Sequence, residues 1–405
     1  MNRAVITGLG VAAPNGLGVD AYWSATLAGV SGIGRITRFD PSGYPAVLAG
    51  EVPGFDPAAH LGPRLLPQTD HMTRLALVAS DAALADAAVV PQRLHEYAMG
   101  VVTASSSGGF EFGQRELEKL WSGGPQQVSA YQSYAWFYAV NTGQISIRHG
   151  MRGPSGVVVA DQAGGLEAVA HARRRIRRNT RLVLTGGVDG SICPWGWVAQ
   201  LAGGRLSGRD DPGTAYLPFD ARACGHVPGE GGAILVAEDL DCARERGARQ
   251  VYAEIAGYAS TFDPAPATGR GPALRRAVQL ALADAGLRPA DIDVVFADAA
   301  GVPALDRSEA DAISAVFGPG AVPVTAPKTM TGRLYSGGAP LDLAAAALSI
   351  RDGAIPPTVN VGQLAPGIEI DLVRGAPRRV PVAAALVLAR GYGGFNAAMV
   401  LRALS

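Results

Sequence analysis

The stretch from residue 156 to residue 175, GVVVADQAGGLEAVAHARRR, is the one that decides the fold. It begins with a short apolar run, passes through a turn of small residues and continues with a helical composition, so it is predicted to be a strand, a sharp turn and a helix. This geometry lifts one side chain onto a helix N-terminus, where free N–H groups lower the pKa of a thiol or stabilise an anion. Gln162 occupies that apex. Because an amide neither ionises nor acts as a nucleophile, an inert side chain stands where a reactive group is expected.

Similar alternation of strands and helices continues on both sides of this segment. Apolar runs at 4–13, 97–105 and 181–190 are predicted to be buried strands, and Ala-rich segments at 74–87 and 273–286 to be helices. Strands that are apolar on both faces need helices on both sides, which indicates an α/β fold.

A weak internal repeat divides the chain. A strand followed by a Gly-rich turn opens the sequence, and YAEIAGYASTFD, from residue 252, opens a second series in the same way. We therefore expect two related halves, 1–250 and 251–405, packed as one body.

The composition excludes several classes of protein. The chain has 405 residues, of which 48% are hydrophobic and 17% charged, so it can bury a large core. Its 35 basic and 35 acidic residues cancel, which argues against nucleic-acid binding and membrane-surface binding. Its first apolar run is broken by Gly8, Gly10 and Pro14, so no export signal is predicted and a cytoplasmic location is expected. Three cysteines without paired spacing favour neither disulfides nor a metal site, and no cofactor is expected.

Several motifs together resemble the chain-length factors of type II aromatic polyketide synthases, which are ketosynthase beta subunits of the thiolase-like superfamily. The motifs are GGFEFGQRELEKLW (108–121), YQSYAWFYAVNTGQISIRHGMRGPSG (131–156), ADQAGGLEA (160–168), YLPFDAR (216–222), VPGEGGAILV (227–236) and GYGGFNAAMVL (391–401). The resemblance covers essentially the whole chain. It implies a thiolase-like fold, with two related α-β-α halves in a five-layered body that dimerises through a central strand. It also implies a subunit that pairs with a catalytic ketosynthase alpha subunit, meets the acyl carrier protein through that complex and sets the length of the polyketide.

The resemblance also explains which catalytic groups are missing. Condensing enzymes that resemble this chain need a cysteine and two histidines, and at those positions this chain has Gln162, Asp298 and Arg333. Lys328 matches the family lysine beside the second histidine. Phe395 lies in a C-terminal Gly-rich loop that supplies an oxyanion donor and a gating Phe in condensing relatives, although a structural hairpin is the simpler interpretation. We therefore expect a vestigial site and no condensation on this subunit.

Two further functions remain open at this stage. In related subunits the amide at the apex is implied to help decarboxylate a malonyl thioester and so prime the synthase, since an amide N–H can donate to an enolate oxygen; otherwise Gln162 merely fills a vestigial pocket. The other function is that of a standalone condensing enzyme using Cys193 or Cys224, with His226 two residues beyond Cys224 in the long irregular stretch 201–232. This is the weaker hypothesis, because no histidine follows His226. For Cys224 the favoured alternative is a buried thiol without a catalytic role.

The segment 106–121 carries the prediction about chain length. Phe110, Gly113, Leu117 and Trp121 follow helical spacing and share one face. A glycine inside a helix is unfavourable, so its presence suggests that the face borders a cavity. In chain-length factors that resemble this chain, matching residues line the end of the polyketide tunnel, and bulky ones shorten the product. Gly113 and Leu117 thus predict an open tunnel and a product longer than an octaketide, with ordinary core or dimer packing as the alternative.

Two surface segments are candidates for contacts with partners. Residues 131–146 are rich in aromatic side chains, namely Tyr134, Trp136, Phe137 and Tyr138. By resemblance this segment meets the condensing subunit, and a core helix is the alternative. The run HARRRIRR, at 171–178, is interpreted either as a docking site for an acidic carrier protein or as a solvated helix end.

Overall fold

Strands and helices alternate along the whole chain in a computed structural model that describes residues 2–404, apart from the side chain of Pro266. The strands are β1 (Ala4–Ala13), β2 (Gly16–Leu17), β3 (Ile33–Arg35), β4 (Leu48–Gly50), β5 (Met99–Ala104), β6 (Ser155–Val158), β7 (Leu182–Asp189), β8 (Gly231–Asp239), β9 (Ala253–Phe262), β10 (Val294–Phe296), β11 (Pro323–Thr325), β12 (Ala354–Ile355), β13 (Asp371–Leu372), β14 (Arg378–Arg379), β15 (Ala384–Arg390) and β16 (Phe395–Arg402). The helices are α1 (Val19–Leu27), α2 (His71–Asp86), α3 (Phe110–Gly123), α4 (Gln132–Ala135), α5 (Val140–His149), α6 (Asp161–Ile176), α7 (Pro194–Ala202), α8 (Pro212–Ala215), α9 (Leu240–Glu245), α10 (Leu274–Ala285), α11 (Pro303–Phe317) and α12 (Gly338–Asp352).

The two halves of the chain have the same strand connectivity. In the first half the strands lie in the order β6-β5-β7-β8-β1, and in the second half in the order β11-β10-β15-β16-β9. Corresponding pairs also run in the same sense: β5–β6 and β10–β11 are parallel, whereas β7–β8 and β15–β16 are antiparallel. A short antiparallel contact between β1 and β9 joins the two sheets. We propose that the halves divide between the end of α9 and the start of β9.

Five layers result from packing helices on both faces of each sheet. Helices α6 and α12 lie between the sheets, in a core that includes Leu166 and Leu343 together with strands of both halves. Helices α2 and α5 cover the outer face of the first sheet, and α10 and α11 cover that of the second. The thiolase-like architecture is thereby confirmed. No helix in residues 2–404 is long and apolar enough to cross a membrane.

Candidate vestigial ketosynthase site

The predicted strand, turn and helix form around Gln162. β6 ends at Val158 and α6 begins at Asp161, whose left-handed backbone (φ 49°) makes the turn sharp. The side chain of Gln162 is 1% exposed, and its Nε2 donates to Oδ1 of Asp298 at 3.1 Å. Its Oε1 has no hydrogen-bond partner within the described part of the chain and lies against Gly338. The amide is therefore enclosed by protein.

Asp298 and Arg333 form a buried ion pair beside this amide. Nη1 and Nη2 of Arg333 each lie 3.1 Å from a different carboxylate oxygen of Asp298, and Nη1 also donates to the backbone oxygen of Asp298 at 2.7 Å. The backbone N–H of Arg390 donates to the same carboxylate at 2.8 Å. Burial alone would raise the pKa of Asp298, but the charges of Arg333 and Lys328 and these hydrogen bonds outweigh it and lower the pKa. Asp298 is therefore held as a carboxylate.

Lys328 also contributes to this network from its buried position. Its Nζ lies 2.7 Å from a carboxylate oxygen of Asp342 and donates to the backbone oxygen of Ala297, the residue before Asp298. Only 3% of its side chain is exposed. The family lysine is thus fully engaged with protein partners.

A cavity of about 650 Å³ lies next to the ion pair. Asp298 and Arg333 form part of its wall, and Phe110, Ser106 and Phe395 contribute to the rest. Gln162 does not line it. The ion pair therefore separates the amide from the space in which a substrate would lie.

The cysteines are not placed for catalysis. Cys224 is exposed, and its Sγ lies 3.3 Å from the hydroxyl of Ser207. His226 instead packs edge-on against the rings of Tyr216 and Tyr335, so the thiol–imidazole pair does not form. The alternative of a buried Cys224 thiol is wrong as well, because Cys224 is exposed. Burial raises the pKa of the Cys193 thiol to about 11. The hypothesis of a condensing enzyme that uses Cys193 or Cys224 is therefore wrong for this arrangement.

The C-terminal loop forms the hairpin of the simpler interpretation. β15 and β16 pair up to Arg390 and Asn396, and the backbone N–H of Tyr392, in the loop, donates to the carboxylate of Asp161 at 2.9 Å. Phe395 is 43% exposed at the rim of the cavity and packs edge-on against Phe262. The loop is thus tied to the turn that carries Gln162.

Of the four residues predicted to share a tunnel face, Phe110 lines the cavity beside the ion pair and the other three do not. Phe110 lines the cavity and stacks on Trp195 with ring centroids 4.5 Å apart. A Cβ at Gly113 would lie 2.7 Å from Trp136 Cδ1, so the space left by the glycine is filled by Trp136. Leu117 is half-buried, and Trp121 is 82% exposed in the last turn of α3. Within this chain the aromatic segment folds back over the helix and the last turn extends into solvent, so a role of all four residues in a tunnel completed by a partner stays a prediction.

The aromatic segment is largely on the surface. Trp136, Phe137 and Tyr138 are 39%, 52% and 38% exposed, whereas Tyr134 is half-buried and donates its hydroxyl hydrogen to Oε1 of Gln68 at 3.1 Å. A core helix is therefore excluded for the three exposed rings. Their role as an interface stays a prediction.

The run 171–178 is partly structural. Arg173 is buried, pairs with Asp284 at 2.5 Å and donates to the backbone oxygen of Ala256 in the second half. Arg174 pairs with Glu167 at 2.8 Å on its own helix. This cationic run is therefore only in part a free helix end.

Several site residues were missed by the sequence analysis. Tyr335 and Arg390 line the cavity, Trp195 stacks on the cavity residue Phe110, and Asp161 anchors the C-terminal loop. Trp195 lies in the segment PWGW (194–197), and Asp161 directly precedes Gln162. The positions of both residues in the sequence could therefore have indicated that they belong to the site. Tyr335 and Arg390 reach the cavity through tertiary contacts that no local pattern indicates.

Comparisons with known proteins agree with this geometry. The family descriptions "Beta-ketoacyl synthase, N-terminal domain" and "Beta-ketoacyl synthase, C-terminal domain" match residues 1–242 and 252–362. The tetracenomycin polyketide synthase ketoacyl synthase beta subunit of Streptomyces glaucescens is 65% identical, with 98% of each chain covered.

Two solved structures are similar over the full length of both chains. One is the ishigamide ketosynthase/chain length factor, with a TM-score of 0.90 and 29% identity. The other is AntDE:AntF, a type II acyl-carrier protein in complex with its ketosynthase bound to the hexaketide, with a TM-score of 0.89 and 26% identity. The chain therefore belongs to the beta-ketoacyl synthase family and, within it, to the ketosynthase beta subunits, or chain-length factors, of type II polyketide synthases.

Proposed function

We propose that this chain pairs with a catalytic ketosynthase alpha subunit, completes the polyketide tunnel and limits the number of extensions. The single observation that carries the proposal is the enclosure of Gln162 by Asp298 and Arg333. With an amide at the apex and an ion pair in place of both histidines, this subunit has no group to form the acyl intermediate. Carbon–carbon bond formation must then take place on the partner.

The surface offers a place for such a partner. β6 lies at one edge of the sheet with its residues only partly covered, and the exposed rings of Trp136, Phe137 and Tyr138 lie in the segment that precedes it. An open strand edge and exposed aromatic rings are each suited to a lasting interface. The carrier protein would reach the complex with its acyl chain, in line with AntDE:AntF, where an acyl-carrier protein is in complex with its ketosynthase. By similarity to biosynthetic relatives, we place the complex in the cytoplasm.

The product is proposed to be a long polyketide, beyond an octaketide. Support comes from α3, where Phe110 lines the cavity and neither Gly113 nor Leu117 supplies an aromatic ring. A bulky side chain at Gly113 would have to displace Trp136 or project toward the partner, and either change reduces the room for the chain. In this proposal, the space available in the tunnel limits the length of the polyketide.

Decarboxylation by Gln162 remains a prediction that the geometry does not favour. A group that stabilises an enolate needs a free donor facing the substrate. Here the amide donates to Asp298 and does not line the cavity.

Reconstitution tests the proposal. The purified chain alone, given malonyl-loaded carrier protein, should form no carbon–carbon bond, whereas the pair with a ketosynthase alpha subunit should release a polyketide whose mass gives its length. The Gly113→Phe pair should release a product shorter by at least one two-carbon unit. Elongation by the isolated chain would refute the proposal, and an unchanged product length at normal yield would remove the tunnel role of α3.

A further inference from the structure

Helix α3, which carries the proposed chain-length residues, has no cap of its own. Its N-cap residue is Gly109, which has no side chain to accept the free N–H groups of the first turn. A Cβ at this position would lie 2.2 Å from the backbone oxygen of Ala135, so no capping residue fits there. The first turn must therefore be satisfied from elsewhere in the chain.

Asp70 supplies the missing cap. Its side chain is fully buried at the start of α2, where Oδ1 accepts from the backbone N–H of Met72 at 2.9 Å. The other oxygen, Oδ2, accepts from the backbone N–H of Phe112 at 2.7 Å. One carboxylate thus caps two helices, and the positive ends of both helix dipoles favour its negative charge.

A second connection runs beside the first. Glu111 pairs with Arg38 at 3.0 Å, and Arg38 also binds Glu230. The same carboxylate of Glu230 lies 3.2 Å from Nε2 of His71, the residue next to Asp70. The first turn of α3 is therefore attached to the first turn of α2 by two independent routes.

This turn contributes Phe110 to the wall of the cavity. Phe110 begins it and stacks on Trp195 beside the cavity, and Gly113 follows under Trp136. Without an acceptor at Asp70, the buried N–H of Phe112 would be unpaired unless the turn frayed or moved. Either response would displace Phe110 and the rings of Trp195 and Trp136 that pack against this turn.

We propose that Asp70 is a positioning residue for product length, because its carboxylate fixes the first turn of α3 against the cavity wall. The proposal rests on the proposed chain-length function. It predicts that loosening this attachment makes the length limit less strict without removing pairing or condensation on the partner.

The variant Asp70→Ser separates the two capping roles. Serine is a good N-cap, so its hydroxyl keeps the cap on Met72 and leaves α2 intact, but it lacks the second carboxylate oxygen, Oδ2, that accepts from Phe112. The matched control is Asp239→Ser. Asp239 is likewise buried and caps α9 through Asp241 and Cys242, with both bonds on one oxygen, and it does not line the cavity.

Both variants are to be assayed as complexes with the ketosynthase alpha subunit, and product lengths measured by mass spectrometry. In the Asp70→Ser complex the share of products that differ by two-carbon units should rise about fivefold, the factor that corresponds to the loss of one helix cap. The Asp239→Ser complex should keep the wild-type distribution. A wild-type distribution from a soluble Asp70→Ser complex would overturn the proposal.

Two further variants in the same assay make every outcome of the experiment decisive. If Asp70→Ser gives no soluble complex, the isosteric Asp70→Asn replaces one of the two accepting oxygens with an amide donor, and an unchanged product distribution there would equally overturn the proposal. Gly113→Phe tests the chain-length function itself. A shorter product from Gly113→Phe together with unchanged lengths from Asp70→Ser would reject only the role of Asp70, whereas unchanged lengths from Gly113→Phe would reject the function on which it rests.

Discussion

At the residue scale, Gln162, Asp298 and Arg333 form a closed polar network. Asp298 accepts from Gln162, from Arg333 and from the backbone of Arg390, so segments distant in the sequence meet at one carboxylate. A buried charge is tolerated only when it is paired and hydrogen-bonded. The three residues at this site therefore link distant segments of the chain.

The buried ion pair between Asp298 and Arg333 is predicted to stabilise the folded chain. Arg333→Met leaves Asp298 buried without its counter-charge, and we expect the free energy of unfolding to fall by about 3–5 kcal/mol. Adding Asp298→Asn removes the stranded charge and keeps an acceptor for Gln162 and Arg390, so the double variant should recover most of that loss. Urea denaturation of the three chains measures both effects. A double variant less stable than Arg333→Met would contradict this account.

The stability of the folded chain is predicted to depend on pH through His226. Burial, followed by the charge of Arg333, lowers the pKa of His226 to about 3 in the folded chain, whereas an unfolded histidine titrates near pH 6.5. Below about pH 6.5 protons bind the unfolded state first, so His226 withdraws stability as the pH falls toward 3, by about 2 kcal/mol at pH 5. His226→Phe should lose less stability between pH 8 and pH 5 than the wild type in urea denaturation. The exposed His60→Phe is the control, and equal losses in both variants would contradict the prediction.

The identities of the site residues could be predicted from the sequence, but their consequences could not. The motifs indicated that Gln162, Asp298 and Arg333 stand at the three catalytic positions. Whether the three would face the cavity or bond to one another depends on backbone segments more than a hundred residues apart, such as α6 and the end of β10. Such contacts leave no periodic trace in the sequence.

At the element scale, helix bounds were predicted well where local signals exist. The strand expected at 4–13 is β1, and the helix expected at 74–87 begins earlier, at His71, because Asp70 caps it. The surroundings of the α3 face that carries Phe110, Gly113, Leu117 and Trp121 could not be predicted in the same way. Helical spacing correctly placed its residues on one face, but spacing cannot tell which neighbouring segment covers that face.

Two neighbouring arginines of helix α6, Arg173 and Arg174, are expected to contribute differently to stability. Arg173→Ala removes an ion pair to Asp284 and a hydrogen bond to Ala256 across the two halves, and we expect a loss of about 2–3 kcal/mol in the free energy of unfolding. Arg174→Ala removes only a pair on the same helix surface, with Glu167, and should cost less than about 1 kcal/mol. Urea denaturation distinguishes the two. Equal losses would show that the run acts as one solvated face.

At the scale of the whole molecule, the duplicated topology leaves β6 as an open edge of the first half. Its counterpart in the second half, β11, is covered by β13. Exposed edges of this kind invite pairing with another strand. The asymmetry between the two halves therefore points to β6 as the place where a partner adds to the sheet.

Val157 tests that expectation. Because Val158 directs its carbonyl toward Ser105 at the end of β5, the backbone groups of the preceding residue, Val157, face the open edge. Val157→Pro removes the outward N–H and leaves the pairing with β5 in place, so the affinity for the ketosynthase alpha subunit should fall about tenfold or more. Val157→Ala keeps the N–H and should still pair, which separates the backbone contribution from that of the side chain. Size-exclusion chromatography of the co-expressed subunits measures both, and a Val157→Pro chain that co-elutes with its partner as tightly as the Ala variant would place the interface elsewhere on the molecule.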